Sequence, residues 1–315
     1  MNMASVLRSV YSIRILGLAC YLLVSSCDRD VTTFNKAYFT ITFSPDQERL
    51  NNFGEPVGVA AGHAAQSPEI QYMSVHYIEL MTDSLVPYKD GITLFSAPET
   101  NAGGAPAIDF DQAILAEDGV SFANVQLSRI PPGTYTYIRA SVAYQQYAVS
   151  FNIEDVPVLG TLTDQQGIIA SFVGYNTYIS TLTIDQKSVD IDANKLQGFW
   201  GFESQLTGAA APYSDIYTGQ SPAGATTVVN PIHATSPIPS GSCVITGRFD
   251  PPLIVEEGET RDLDLVFSFS TNQSFEWVDD NTNGIWDINA TTPESTEQVV
   301  DMGLRGLMPT WEWKE

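Results

Sequence analysis

The chain has 315 residues, 43% hydrophobic, 11% aromatic and only 16% charged, with 37 Asp and Glu against 14 Lys and Arg and a formal net charge of −23. Its apolar content supplies one large core or two ordinary ones. Its acidity excludes a nucleic-acid surface, because phosphate backbones repel it, and leaves cations and neutral ligands such as glycans as partners.

Charged residues fall well below the roughly 25% of an average soluble domain, so Ser, Thr, Asn and Gln carry the polar surface, as in extracellular and envelope proteins.

Arg8 and Arg14 precede an apolar run from Ile15 to Val24. About ten residues cannot span roughly 30 Å of hydrocarbon as a helix, but they suit the core of a signal peptide behind a basic region. The run ends in Ser25 and Ser26, directly before Cys27, and "VSSC" resembles the bacterial lipobox. That resemblance implies cleavage before Cys27, a diacylglycerol on its thiol and a further acyl chain on its amine. Several chains anchor stably where one binds reversibly.

Residues 1–26 are therefore expected to be a lipoprotein signal peptide, and 27–36 the lipidated Cys and a tether. A plain cleaved signal and an uncleaved anchor are the alternatives. With Cys20 removed and Cys27 modified, Cys243 stands alone and no disulfide is expected. Loss of Arg8 and Arg14 leaves twelve basic against 37 acidic residues, a net charge of −25. "DRD" after Cys27 resembles the acidic stretches that accompany surface export of lipoproteins in Bacteroidota. The expected place is the outer membrane, lipid-anchored, at the cell surface or on its periplasmic face.

Beyond the tether the periodicity is two. In "AYFTITF" Tyr38, Thr40 and Thr42 alternate with Phe39, Ile41 and Phe43, and in "DLDLVFSFS" Leu263, Leu265, Phe267 and Phe269 share one face. Further strands are expected in "MSVHYIELM", "VSFANVQL", "TYTYIRASVAY", "YAVSF", "GIIASFVG", "TYISTLTI", "LQGFWGF", "SCVITGRF" and "QSFEWV"; "DFDQAILAE" is the one candidate for a short helix. The pattern predicts an all-β chain, an antiparallel β-sandwich, one large or two consecutive. A soft boundary near Val156–Pro157 divides a β-sandwich region at 37–155 from a C-terminal β region at 156–315. Three stretches rich in Gly, Ala and Pro, near 44–71, 95–117 and 204–241, read as long irregular loops of the kind that carry function.

The sharpest local motif is "DDNTNGIWD". From Asp279 it places Asp279, Asn281, Asn283, the carbonyl of Ile285, and Asp287 at the alternating positions of a calcium loop, with Gly284 at the turn. Position twelve is Ala290, so Glu294 or Asp301 must supply the missing carboxylate. The competing reading is a plain Asx-rich hairpin turned at Asn283-Gly284.

His63, His76 and His233 are widely spaced, and a copper or zinc site needs the fold to gather them. Trp286, Trp311 and Trp313 are candidates to stack on a sugar ring, against the alternative that they fill cores. Ser84, in "DSL", fits the short acceptor described for O-glycosylation in Bacteroidota. No catalytic signature is present: "GQSPAG" around Ser221 lacks the second glycine of a nucleophile elbow, and Pro222 has no N–H for an oxyanion.

The stretches "AAQSPEIQYMSVHYIEL", "GIIASFVGYNTYI", "QGFWGFE", "TSPIPSGSCVITG", "STNQSFEW" and "VVDMGLRGL" resemble a family of large uncharacterised lipoproteins from Bacteroidota and related marine bacteria. The resemblance implies envelope location and a β-fold. "FTITF", "SVHYIELM" and "LSRIPPGTYTYIRASVAY" also look like MbnP-like β-sandwich proteins associated with copper handling, although their Trp-rich segment has no clear counterpart here. The expected function is non-enzymatic: an anchored protein whose long loops bind a glycan or an envelope protein. A metal-handling role, with copper or calcium, is the first alternative and a hydrolase with an unrecognised site the second.

Overall fold

The structure is a computed structural model that describes residues 35–50, 55–87, 89–221 and 244–315. Cys27, the expected signal peptide, most of the expected tether, His233 and Cys243 lie outside those residues. The described residues are all-β, with 59% strand and 6% helix.

The first strands are β1 (Lys36–Ser44), β2 (His63–Gln66), β3 (Glu69–Met81), β4 (Ile92–Ser96), β5 (Glu99–Thr100), β6 (Ala107–Asp109) and β7 (Ser121–Gln126). Next come β8 (Gly133–Val156), which is the longest, β9 (Gly160–Phe172), β10 (Asn176–Thr183), β11 (Ser188–Leu196), β12 (Phe199–Ser204) and β13 (Ile216–Gln220). The last are β14 (Val244–Val255), β15 (Asp262–Ser270), β16 (Phe275–Val278), β17 (Trp286–Asn289), β18 (Val299–Asp301) and β19 (Leu307–Lys314).

The alternation read in "DLDLVFSFS" builds the first layer. Leu263, Leu265, Phe267 and Phe269 of β15 are buried, and β1 lies parallel beside them with Phe39 edge-on to Phe267 at 6.2 Å. The sheet runs β19-β15-β1-β7. It packs on the first half of β8 and its neighbours, so that Ile138, Ala140 and Ile245 meet Ile41, Leu265 and Phe267 in one core.

β8 organises the rest. The runs "TYTYIRASVAY" and "YAVSF", expected as two strands, are one strand of 24 residues. Its first part pairs with β14 and β3, the part from Tyr144 pairs with β9, and Phe151–Glu154 pair in parallel with β17. Because side chains alternate along a strand, Tyr147, Val149, Phe151 and Ile153 enter a second core with Trp277 and Trp286. Tyr144 points the other way, into a third core with Phe172 and Ile179.

Two expectations change. "DFDQAILAE" forms only a 3-10 turn at Phe110–Gln112, because Ala116 instead exchanges backbone hydrogen bonds with Met73 of β3 (2.7 and 3.0 Å). The stretches expected as long loops contain β2, β5, β6 and β13, short strands whose sequence lacks a clear alternation. The regions on either side of Val156 share their pairing: β8 turns into β9 there, β1 joins β15, and contacts gather Phe34–Glu315 into one compact unit. Among the described residues no helix is long and apolar enough to cross a membrane.

Candidate ligand cleft and the adjoining Asp279–Asp287 loop

β12 and β13 pair antiparallel with Trp200 opposite Gly219 and Phe202 opposite Tyr217. Gly219 is required sterically: a Cβ there would lie 2.2 Å from Cζ2 of Trp200, so glycine lets the indole rest against the β13 backbone. Phe202 stacks on Tyr217 at 6.1 Å and 30°. Trp286, fully buried, stands edge-on to Trp200 at 6.4 Å and to Phe202 at 5.2 Å. Edge-to-face packing of this kind fixes ring orientation beyond what area burial gives.

These rings form one side of a cleft of about 550 Å³, within the range of small-ligand sites. The other side comes from the Pro293–Val299 segment, with Glu294, Thr296, Glu297 and Gln298; Gln220 and Thr218 reach in from β13. Trp200 and Tyr217 are half-buried and Glu294 is exposed. Among the described residues no Lys, Arg or His lines the cleft.

Glu297 fastens this wall to the neighbouring loop. Its carboxylate accepts the N–H of Asp280 (3.0 Å) and of Asp287 (2.9 Å), while its carbonyl accepts Nε1 of Trp286 (3.0 Å). Burial pushes the Glu297 carboxyl up, the two N–H donors oppose that, and the nearby Asp287 and Asp279 add to the rise.

The loop gathers the side chains read as a calcium motif. Asp279 accepts the N–H groups of Asn283 and Gly284 at 3.1 Å each, and Asn283 accepts the N–H of Ile285 at 2.7 Å. Asn281 and Asn283 both donate to Oδ2 of Asp287, at 2.5 and 2.7 Å, and Asn152 donates to its Oδ1 at 2.8 Å. Asp279, Asn281, Asn283 and Asp287 thus converge, with the amide nitrogens turned toward the carboxylate.

The carboxylate brought in from outside the motif is Glu297. Glu294 faces the cleft, and Asp301 is bound to Arg305 at 2.7 Å. The plain-hairpin reading is corrected as well: β16 pairs with β2 and β18, and β17 pairs with β8, so the strands flanking Asn283-Gly284 do not pair with each other. The loop is a crossing between sheets, with Gly284 and Thr282 at positive φ.

His63 and His76 each meet a different glutamate, Glu276 at 2.6 Å and Glu99 at 3.0 Å. His233 lies outside the described residues. Among those residues no group of three or more His, Cys, Asp or Glu is arranged to hold a metal ion. Glu276 also pairs with Arg49, and with Arg305 at 3.2 Å. Burial works against the ionised form of Glu276, but the His63 hydrogen bond and the Arg305 and Arg49 charges outweigh it and hold its carboxyl below the ordinary range.

Of the three tryptophans singled out from sequence, Trp286 floors the cleft. Trp311 and Trp313 pack together against the first core, with Nε1 of Trp311 donating to the Pro251 carbonyl at 2.9 Å. Ser84 sits half-buried on the turn after β3, beside the exposed Leu85. Sequence reasoning missed Trp200, Tyr217, Gly219 and Glu297. The alternation in "QGFWGFE" carried a signal for the first, but nothing local marks Glu297, ten residues past Asp287.

No protein-family model, no curated protein and no solved structure matches this chain.

Proposed function

We propose that this protein is a non-enzymatic, lipid-anchored component of the bacterial outer membrane that holds a glycan in the cleft between β12–β13 and the Pro293–Val299 segment. The observation that carries the reading is the pairing of half-buried Trp200 and Tyr217 with a wall of side-chain amides, hydroxyls and carboxylates around about 550 Å³. A sugar ring has an apolar C–H face and a hydroxyl edge, and this cleft offers an aromatic surface for the one and hydrogen-bonding groups for the other. The charge balance agrees, since nothing in the cleft would recruit phosphate.

The anchor is read from Arg8, Arg14, the apolar run and "VSSC" before Cys27. Incorporation of labelled fatty acid into the protein, abolished by Cys27→Ser, tests it. For the cleft, the test is a glycan array probed with the full chain. Binding lost in Trp200→Ala and reduced in Tyr217→Ala, with both variants retaining a cooperative melt, is the expected result; an array with no hits ends the reading.

A second reading is favoured by one observation. The convergence of Asp279, Asn281, Asn283 and Asp287, with Glu297 replacing the missing twelfth ligand, supports a calcium loop that stiffens the cleft wall. Binding requires the Asn281 and Asn283 amides to turn their oxygens inward. Calorimetric titration with Ca²⁺ checks it, and no heat at millimolar Ca²⁺ rules it out.

A further inference from the structure

We propose that the ring bound in the cleft carries a free amine, so that the ligand is an amino-sugar oligosaccharide. The inference rests on the glycan reading of the same cleft. Its basis is what surrounds the aromatic rings. Glu294 presents an exposed carboxylate at the rim and Glu297 lies in the wall, yet among the described residues the lining contains no Lys, Arg or His to balance either. Trp200 and Tyr217 add ring faces, whose quadrupoles attract cations and repel anions.

Each ligand class meets this arrangement differently. A uronate or sulfated sugar brings an anion toward two carboxylic groups with no compensating cation. A neutral hexose fills the aromatic surface but offers the Glu294 carboxylate only neutral hydroxyl donors, not a charged one. A protonated amino group on the same ring gives that carboxylate a charge-assisted hydrogen bond while the C–H face still rests on the indole. The amine therefore satisfies the electrostatics and the ring satisfies the shape.

The test is calorimetry of the full chain with three tetrasaccharides: β-1,4-linked glucosamine, cellotetraose as its neutral counterpart, and galacturonic acid as the anionic one. The glucosamine tetramer is expected to bind about tenfold tighter than cellotetraose, and the galacturonate tetramer not at all. Glu294→Gln should narrow the tenfold gap to about twofold and leave cellotetraose unchanged. That variant separates recognition in the cleft from general attraction of a cation to a chain of net charge −23, which would keep the gap intact.

Cellotetraose or galacturonate binding as tightly as the glucosamine tetramer, and dependent on Trp200, overturns the amine and leaves the glycan reading standing. No binding by any of the three, or choline binding as tightly as the glucosamine tetramer, removes the glycan reading itself and this inference with it.

Discussion

Around β1 and β15 the interior is filled by Phe39, Ile41, Leu265, Phe267 and their neighbours from long, regularly alternating strands. Around β16, β17 and β18 the strands have three or four residues, and the interior mixes Trp277 and Trp286 with buried Glu276, Asp301, Arg49 and Arg305. The first region is held by apolar burial, which is nearly indifferent to pH. The second also depends on ionised partners, and buried charges stabilise only while every partner is present and correctly protonated. The cleft is built on the second region. There the Glu297 carboxylate is held by the N–H groups of Asp280 and Asp287.

The contrast can be broken by substitution. Phe267→Ala should cost about 4 kcal/mol in a denaturant melt, at any pH from 5 to 8, by leaving a cavity in the first core. A cost below about 1 kcal/mol would show that this core collapses and is not close-packed. Glu276→Gln should cost about 3 kcal/mol, because Arg49 and Arg305 lose their shared carboxylate.

That cost should also depend on pH. The Glu276 carboxyl is held below its unfolded value, so its contribution is complete above the ordinary Glu range and disappears as pH falls through the folded value. Acid melts of the wild type should steepen there, while those of Glu276→Gln should not. Parallel acid limbs would contradict the assignment.

Glu297 has the opposite sign. Its carboxyl is raised in the fold, so the native state holds the proton longer than the unfolded chain. Stability should therefore decline as pH climbs from the ordinary Glu range through the folded value, and Glu297→Gln should remove that decline. Calcium in the loop would favour the ionised form and raise the melting temperature of the wild type at pH 7, but not of Asp287→Asn. Smallest in stability is Gly219→Ala, expected to cost about 1 kcal/mol while displacing Trp200 and weakening ligand binding roughly tenfold; unchanged binding would separate Trp200 from the site.

The same contrast explains what was legible in the sequence. In β15 four apolar residues at spacing two meet one continuous core, so periodicity and structure coincide. β8 defeated the same reasoning, because it serves three cores in turn and its buried face changes along its length. In the short strands pairing decides the conformation: β2 and β6 pair with β16 and β10, far away in sequence, and β5 and β13 with the nearer β6 and β12. The Asp279 motif was legible as a cluster because its groups are local. Its link to Glu297, and so to the cleft, depends on where the chain returns after ten residues.

The parallel pairing of β1 with β15 has a mechanical meaning. Lys36 begins β1, and the Trp200 cleft lies level with residues 145–154 of β8. A force applied at Lys36 along the axis of β1 loads that strand lengthwise. The eight registered pairs with β15 and those with β7 then resist together in shear, where a strand peeled sideways would give way one bond at a time.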